Sequence, residues 1–429
     1  MQKTLVFCLD ALCTSDIAYM KTLPNFGWVF ENGSYVKHAE PVYPSLTYPC
    51  HVSILTGNYV NKHQVPHNEM LAIGKSNQPW YNQRSDVKCN TLLDVAKRNG
   101  FSTCSISWPV TGGADFDLNM PMIVPIGYTG YEPIQFFAGN ATDELLDKYY
   151  KKYGQFLMGE DRSLDKYTMA LTLDILRDYP QPDIMLVKMC DLDSAHHMYG
   201  IHHPKVNEQI DLHDEQFGQI LELIRANGNF DNTNFVILGD HGQSDITNGI
   251  NLNVLLKQNG FITVDSDDNL VDFDAYCHSA SLSAWIELKD NSNPELYDRV
   301  YTFFKELVQE KKYGIGHLYT KQEAEELFNL SGPLDFIVEG EKPIAFSSSL
   351  KGENIYDKPE YSGYSTLKAS HGGLPCKDET TTFIACGPSV QKGVVIDRCS
   401  IVDEAPTLAA MMGFEMKNTD GKIISELVK

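Results

Sequence analysis

Uninterrupted apolar runs alternate along this chain with stretches of helical period. "TLVFCLD" (4–10), "DIMLVKMCD" (183–191), "NFVILGD" (234–240) and "TTFIACG" (381–387) are short and apolar throughout, the pattern of strands buried on both faces. Between them, "SLDKYTMALTLDILRDY" (163–179) and "NEQIDLHDEQFGQILELIRANG" (207–228) space apolar residues three and four apart, as on one helix face. Residues 91–108 and 252–264 share one grammar: an amphipathic stretch, a glycine suited to closing a helix, then a strand-like run. The pattern predicts an α/β fold with a mostly parallel central sheet and helices on both faces.

The texture changes between 265 and 365. "SLSAWIELKD" alternates like a half-exposed strand, while "NPELYDRVYTFFKELVQEKK" and "YTKQEAEELFNL" carry the period of surface helices. A small α+β, cap-like subdomain (265–365) inserted into a core made of 1–264 and 366–429 is expected. A chain of 429 residues exceeds what one hydrophobic core usually holds, which agrees.

Charge narrows the partners. Fifty-seven acids against 35 Lys and Arg give a formal charge of -22, unsuited to tracking a nucleic-acid polymer or docking on an anionic membrane. A small phosphorus-containing substrate would then need local cations, and bound metal ions supply them. The opening "MQKTLVFCLD" has an apolar run too short for a signal-peptide core. Ten cysteines lie scattered without CxxC pairs, which favours reduced thiols and a cytoplasmic location.

Three strand candidates end in acid: Asp10, Asp240, and the pair Asp191 and Asp193. In open α/β sheets the ligand crevice lies beyond the carboxyl ends of the strands, so these acids can converge, although each alone could cap a helix. Histidines accompany them. His241 follows Asp240, His371 opens "HGG", and His197 stands four residues after Asp193, on the same helix face; that spacing favours His197 over His196. Carboxylate and imidazole together favour a metal site, with Gly242 and Gly372 permitting close backbone approach. His38, His51, His63, His67, His202, His203, His213, His278 and His317 have no such partners in sequence and read as surface, packing or supporting residues. In "YPSLTYPCHVSILTG" (43–57), Thr47 opens a helix-like stretch, where a hydroxyl can cap the helix or be presented to an anion.

The ordered set resembles the type I phosphodiesterase/nucleotide pyrophosphatase family of the alkaline phosphatase superfamily. It comprises Asp10 after a strand, "TYPCH" with Thr47, "HQVPHN" ending at Asn68, "SWPVTG" at 107–112, "DLDSAHHMYG", "GDHG" and finally His371. The resemblance implies two divalent ions, zinc first with manganese or iron as alternatives. Asp10, Thr47, Asp240 and His241 would hold one, and Asp193, His197 and His371 the other. It also implies Thr47 as nucleophile, passing through a covalent phospho-threonine, and Asn68 as a donor to a phosphoryl oxygen. Tyr48 matches an aromatic position that packs on a nucleobase or inside the fold. The chain departs from the pattern at Cys50 (usually Asn), at Gln64 (usually Gly) and in "GDHGQ" where "SDHGM" is usual; none of these removes a ligand, but they bear on the pocket.

A phosphonate hydrolase of the phosphonoacetate type is the alternative on the same scaffold. A phosphomonoesterase is disfavoured, because a dianion calls for an arginine fork and the seven arginines lie away from Thr47 in sequence. Cys50 does not sit in the Cys-x-Pro-x-Arg context of a sulfatase. A catalytically silent binding member would be marked by loss of Thr47 or a ligand, and all are present.

Overall fold

The computed structural model describes residues 2–75, 78–123, 133–159, 162–357, 367–375, 377 and 379–429. Its first half runs β1 (Lys3–Leu9), α1 (Pro24–Asn32), β2 (Gly33–Glu40), α2 (Thr47–Thr56), α3 (Leu92–Arg98), β3 (Thr103–Ile106), β4 (Leu118–Met120), α4 (Leu164–Asp178), β5 (Ile184–Met189), α5 (Asp191–Tyr199), α6 (Pro204–Ala226) and β6 (Thr233–Leu238). Then follow α7 (Leu252–Gln258), β7 (Ala275–Ser279), β8 (Ser283–Leu288), α8 (Pro294–Gln309), β9 (Ile315–Thr320), α9 (Lys321–Phe328), β10 (Phe336–Gly340), β11 (Thr381–Cys386), β12 (Val395–Ser400) and α10 (Glu404–Met411).

Eight strands form the central sheet, in the order β12-β2-β11-β6-β1-β5-β3-β4. β11 alone runs against its neighbours β6 and β2; every other pairing is parallel. The apolar runs of β1, β5 and β6 place them at the centre, because alternate side chains of a strand face opposite ways and both faces here are covered. Val6 and Cys8 join Ile54, Leu92 and Leu408, from α2, α3 and α10, in one buried cluster. Leu5, Phe7 and Leu9 join Phe26, Ile175 and Phe217, from α1, α4 and α6, in the other. Each such side chain contributes about 1.5–3 kcal/mol through burial.

Within 265–365, β7-β8-β10-β9 make an antiparallel four-stranded sheet, on which Val300, Phe304 and Leu307 of α8 pack. The same apolar cluster takes Ile250, Leu252, Leu255 and Leu256, upstream of residue 265. The expected return to the core near 365 lies outside the described residues. The strand-like run after α7, Ile262–Val264, pairs with Leu270–Phe273 as a two-stranded ribbon rather than joining the central sheet. Among the described residues no helix is long and apolar enough to cross a membrane.

Candidate active site

Parallel registry brings the strand-end acids together. Cys8 lies opposite both Lys188 of β5 and Leu238 of β6, so the three strands end at one level. Asp10 leaves β1, Asp240 follows β6 after Gly239, and Asp193 lies in the first turn of α5 beyond β5. The start of α5 is fixed from outside. Asp165 of α4 accepts the N–H groups of Cys190 (2.6 Å) and Asp191 (3.0 Å), offsetting the unpaired donors of that helix end.

The histidines meet these acids. His241 Nε2 lies 3.4 Å from Asp10 Oδ1, 3.2 Å from Asp240 Oδ2 and 3.2 Å from Thr47 Oγ1. Asp193 approaches His197 Nε2 at 3.4 Å and His371 Nε2 at 3.6 Å. The His241 and His371 rings stack at 3.8 Å, joining the two groups into one site. Gly242 and Gly372 are needed for this: a Cβ would fall 1.9 Å from the Glu379 carbonyl oxygen at the first and 2.1 Å from that of Ala280 at the second.

Tautomers follow from the partners. Nδ1 of His197 faces the Ala369 carbonyl at 2.8 Å, that of His371 the Ser45 carbonyl at 2.8 Å, and that of His241 the Gly242 carbonyl at 3.0 Å. A carbonyl only accepts, so each Nδ1 carries the proton and each Nε2 turns a lone pair toward the carboxylates. Asp10 Oδ1 and Asp240 Oδ2 are buried and lack a hydrogen bond among the described residues. Lone pairs facing lone pairs at 3.2–3.6 Å repel unless a cation stands between them. This donor set fits divalent ions. Burial, then His241, holds the His371 imidazole down to about 3, in the neutral form that ligates. Burial, then Asp240, pushes the Asp10 carboxyl up, with Lys188 opposing.

Thr47 is the first residue of α2 behind an extended Leu46, which has no capping side chain, and the Thr47 hydroxyl meets His241. The helix start is served instead by Asn68, whose Oδ1 accepts the Tyr48 N–H at 2.9 Å and leaves the amide NH₂ free to donate. Tyr48 is buried among Val52, Val65, Val87 and Val110, so of its two expected placements the structure takes packing inside the fold.

A cavity of about 520 Å³ opens above these residues, lined by Thr47, Asn68, Trp80, Lys188 and, from the inserted region, Ser281 and Phe346. Lys188 is fully buried, with Nζ 2.6 Å from Asp10 Oδ2 and 2.9 Å from Cys190 Sγ. Burial works against its charge, but Asp10, Cys190 and Asp240 outweigh that and raise its pKa. A lone lysine inside the apolar run "LVKMC" was the signal available in the sequence. Gln243, noted only as a departure, donates to Asp193 Oδ1 at 2.6 Å and to its backbone carbonyl at 3.1 Å.

The partnerless reading of several histidines is corrected. His51 Nδ1 donates to the Thr47 carbonyl at 2.8 Å and lies 3.0 Å from Asp240 Oδ2, with Trp108 of "SWPVTG" edge-on to its ring at 4.9 Å. His213 pairs with Asp165 at 2.9 Å and His278 with Glu287 at 2.8 Å. These partners are distant in sequence or across a hairpin, and helical spacing cannot reveal them. His196, set aside in favour of His197, points away from Asp193 into a separate buried cluster with Cys13 and Asp16.

A family model for type I phosphodiesterase/nucleotide pyrophosphatase matches residues 4–353, a span that ends before His371. Human ectonucleotide pyrophosphatase/phosphodiesterase family member 7 is 20% identical over 416 residues, covering 94% of this chain and 78% of the relative. Human family member 1 is 24% identical over 254 residues, covering 56% of this chain but 23% of the relative, so there the chain spans about a quarter of its relative's length. Venom phosphodiesterase of Naja atra is 22% identical over 247 residues, covering 57% of this chain and 26% of the relative. Among solved structures, human ectonucleotide pyrophosphatase/phosphodiesterase 5 superposes with a TM-score of 0.70 at 18% identity over 100% of both chains. The murine protein, in an inactive form in complex with AMP, superposes at 0.67 and 17% identity, again over 100% of both. At these identities the likeness shows the shared α/β fold.

Proposed function

Because this chain belongs to the type I phosphodiesterase/nucleotide pyrophosphatase family of hydrolases, we propose that it cleaves a small phosphodiester or phosphoanhydride, nucleotides included, through a covalent phospho-threonine on Thr47. The observation that carries this is the convergence of Thr47 with the six other metal-ligand candidates at one rim: an alcohol oxygen 3.2 Å from His241 Nε2, beside buried carboxylate oxygens that lack hydrogen bonds among the described residues.

Asp10, Thr47, Asp240 and His241 would hold one divalent cation, and Asp193, His197 and His371 a second, with zinc suited to the imidazole-rich set and manganese or iron as alternatives. Bound there, such ions supply Lewis-acid stabilisation of phosphoryl charge and lower the pKa of a hydroxyl. The chain's own groups do the rest. Thr47 Oγ1, 3.2 Å from His241 Nε2, faces the cavity and gives up its proton to solvent there, because the His241 lone pair is the one that would hold the ion. The Thr47 oxygen bonds to phosphorus as the ester oxygen departs, and water then releases the phosphoryl group from the threonine. Asn68, its Oδ1 held by Tyr48 N–H, keeps two amide hydrogens for a non-bridging oxygen. Trp80 lines the cavity and offers an aromatic surface to a base or aryl leaving group. The inserted region acts as a cap, since Ser281 and Phe346 close one side of the same cavity.

Bis-p-nitrophenyl phosphate, p-nitrophenyl phosphate and phosphonoacetate, assayed side by side with added zinc, test this. Diester turnover above monoester turnover, abolished by EDTA and in Thr47→Ala, is expected. Phosphonoacetate cleavage without diester cleavage would establish the phosphonate hydrolase instead, an alternative that the buried Lys188 supports as a cation able to grip a second anionic group. Zinc binding without any turnover would leave a silent binding protein. A cytoplasmic setting belongs to the same proposal, supported by the described cysteines, none of which is in a disulfide among the described residues.

A further inference from the structure

We propose that Cys13, Asp16 and His196 form a third cation site, apart from the two catalytic ones, that binds a divalent ion of the zinc class. One donor atom from each residue lies within 4.8 Å of the others, and all three residues are buried. Sulfur, imidazole nitrogen and carboxylate oxygen are the three donors from which tetrahedral zinc sites are built. The Cys13 thiol donates to the Ala11 carbonyl at 3.4 Å, a further oxygen at the same place, and an ion would take the place of that proton.

A second, independent observation points to an occupant. His196 is 0% exposed, and neither ring nitrogen has a hydrogen-bond partner among the described residues. Leaving such a group unpaired costs about 1–3 kcal/mol per atom, so an imidazole without a ligand is a poor occupant of this position. The nearest recorded carboxylate contact, Asp16 Oδ2 at 3.9 Å from His196 Nε2, is too long for a hydrogen bond but leaves room for an ion between them. Asp16 Oδ2 is fixed by the Cys13 N–H at 2.9 Å, which holds the turn in a shape that gathers oxygen and sulfur on one side.

The placement gives the ion a task. Cys13 and Asp16 belong to the turn after β1, three to six residues beyond Asp10, while His196 stands on α5 between Asp193 and His197. An ion shared by these segments ties the strand end that carries a ligand of one catalytic subsite to the helix that carries ligands of the other. It touches no substrate; it positions.

Cobalt loading of metal-stripped protein reads this site separately from catalysis, because no cysteine belongs to the proposed catalytic ligand set. A thiolate-to-cobalt charge-transfer band is expected in the wild type and in Cys190→Ser, whose sulfur lines the catalytic cavity, and is expected to vanish in Cys13→Ser. The zinc content of wild type should exceed that of Cys13→Ser by one ion per chain, whatever the catalytic centre holds. His196→Leu supplies the opposing measurement. If an ion binds, zinc-loaded His196→Leu melts below wild type; if none does, removing an unpaired buried imidazole raises the melting temperature. Absence of the band in wild type, its loss in Cys190→Ser, or a more stable His196→Leu overturns the site. Diester hydrolysis by the wild type reports separately on the two-ion centre.

Discussion

At the residue scale, each rim histidine is anchored through one ring nitrogen. Nδ1 of His197, His371 and His241 is held by a carbonyl, so in the neutral ring the lone pair sits on Nε2. The supporting shell should therefore matter nearly as much as the ligands. Gln243→Ala removes both hydrogen bonds to Asp193 and should weaken metal affinity by about 10–100-fold, measured by competition with a chromophoric chelator; unchanged affinity would reduce Gln243 to packing. Asn68→Ala should lower kcat by about 10²–10³-fold with little change in KM, the signature of a donor used in the transition state. Trp80→Ala should do the reverse, raising KM for a dinucleotide by an amount equivalent to about 1–3 kcal/mol and leaving bis-p-nitrophenyl phosphate less affected. A kcat effect at Trp80 in place of a KM effect would contradict the base-stacking role.

At the element scale, the segment that delivers Asn68 is held by two neutral imidazoles. Val65 N–H donates to His63 Nδ1 at 3.2 Å, so the ring proton sits on Nε2, 3.0 Å from Ser53 Oγ of α2. Glu69 N–H likewise donates to His67 Nδ1 at 3.0 Å, and Nε2 donates to the Ser279 carbonyl at 3.1 Å. Protonating either ring destroys the bond at Nδ1. Burial accordingly holds His63 down to about 3 and, opposed by the Ser279 bond, His67 down to about 4. An unfolded histidine titrates near about 6.5, so between those values and that one the unfolded chain binds more protons. The sign follows: this stability is complete above about pH 6.5 and is lost as pH falls, by about 2 kcal/mol per histidine at pH 5. Urea melts at pH 7 and pH 5 should show the loss, and His63→Gln should lose about 2 kcal/mol less between the two. Equal losses in both proteins would exclude His63 as the acid-sensitive group. The segment also shows what a sequence can reveal of an element. Gln64, a departure from the glycine that the sequence pattern leads one to expect, adopts the left-handed backbone at φ 63 that glycine favours. The central strands were legible because burial on both faces leaves an uninterrupted apolar run. β2 ("GSYVKHAE") and the outer strand β12 ("VIDRCS") were not, because partial exposure admits the polar residues that make a strand read as a loop. Strand-end acids could be picked out by position; Lys188, His51 and Gln243 became functional candidates only when pairing of β1 with β5 and β6 set them beside Asp10, Asp240 and Asp193.

At the scale of the whole molecule, a surface of net charge -22 surrounds a site for anions. The two fields differ in range. Repulsion between the distributed surface acids and an approaching substrate acts through water and is screened over about 10 Å at 0.1 M salt, whereas Lys188 and any cations held by the rim act at contact distance in a partly desolvated cavity. Raising salt should therefore remove the repulsion and leave the attraction nearly intact. For a dinucleotide substrate, KM is expected to fall as NaCl rises from about 10 to about 150 mM, and more steeply than for monoanionic bis-p-nitrophenyl phosphate. Proteins that hold a nucleic-acid backbone with surface lysines and arginines show the opposite slope, weakening as salt rises. Initial-rate kinetics across that range distinguish the cases. A KM that climbs with salt would mean that a basic surface patch, rather than the buried rim, captures the substrate, and the argument from charge against polymeric substrates would fall with it.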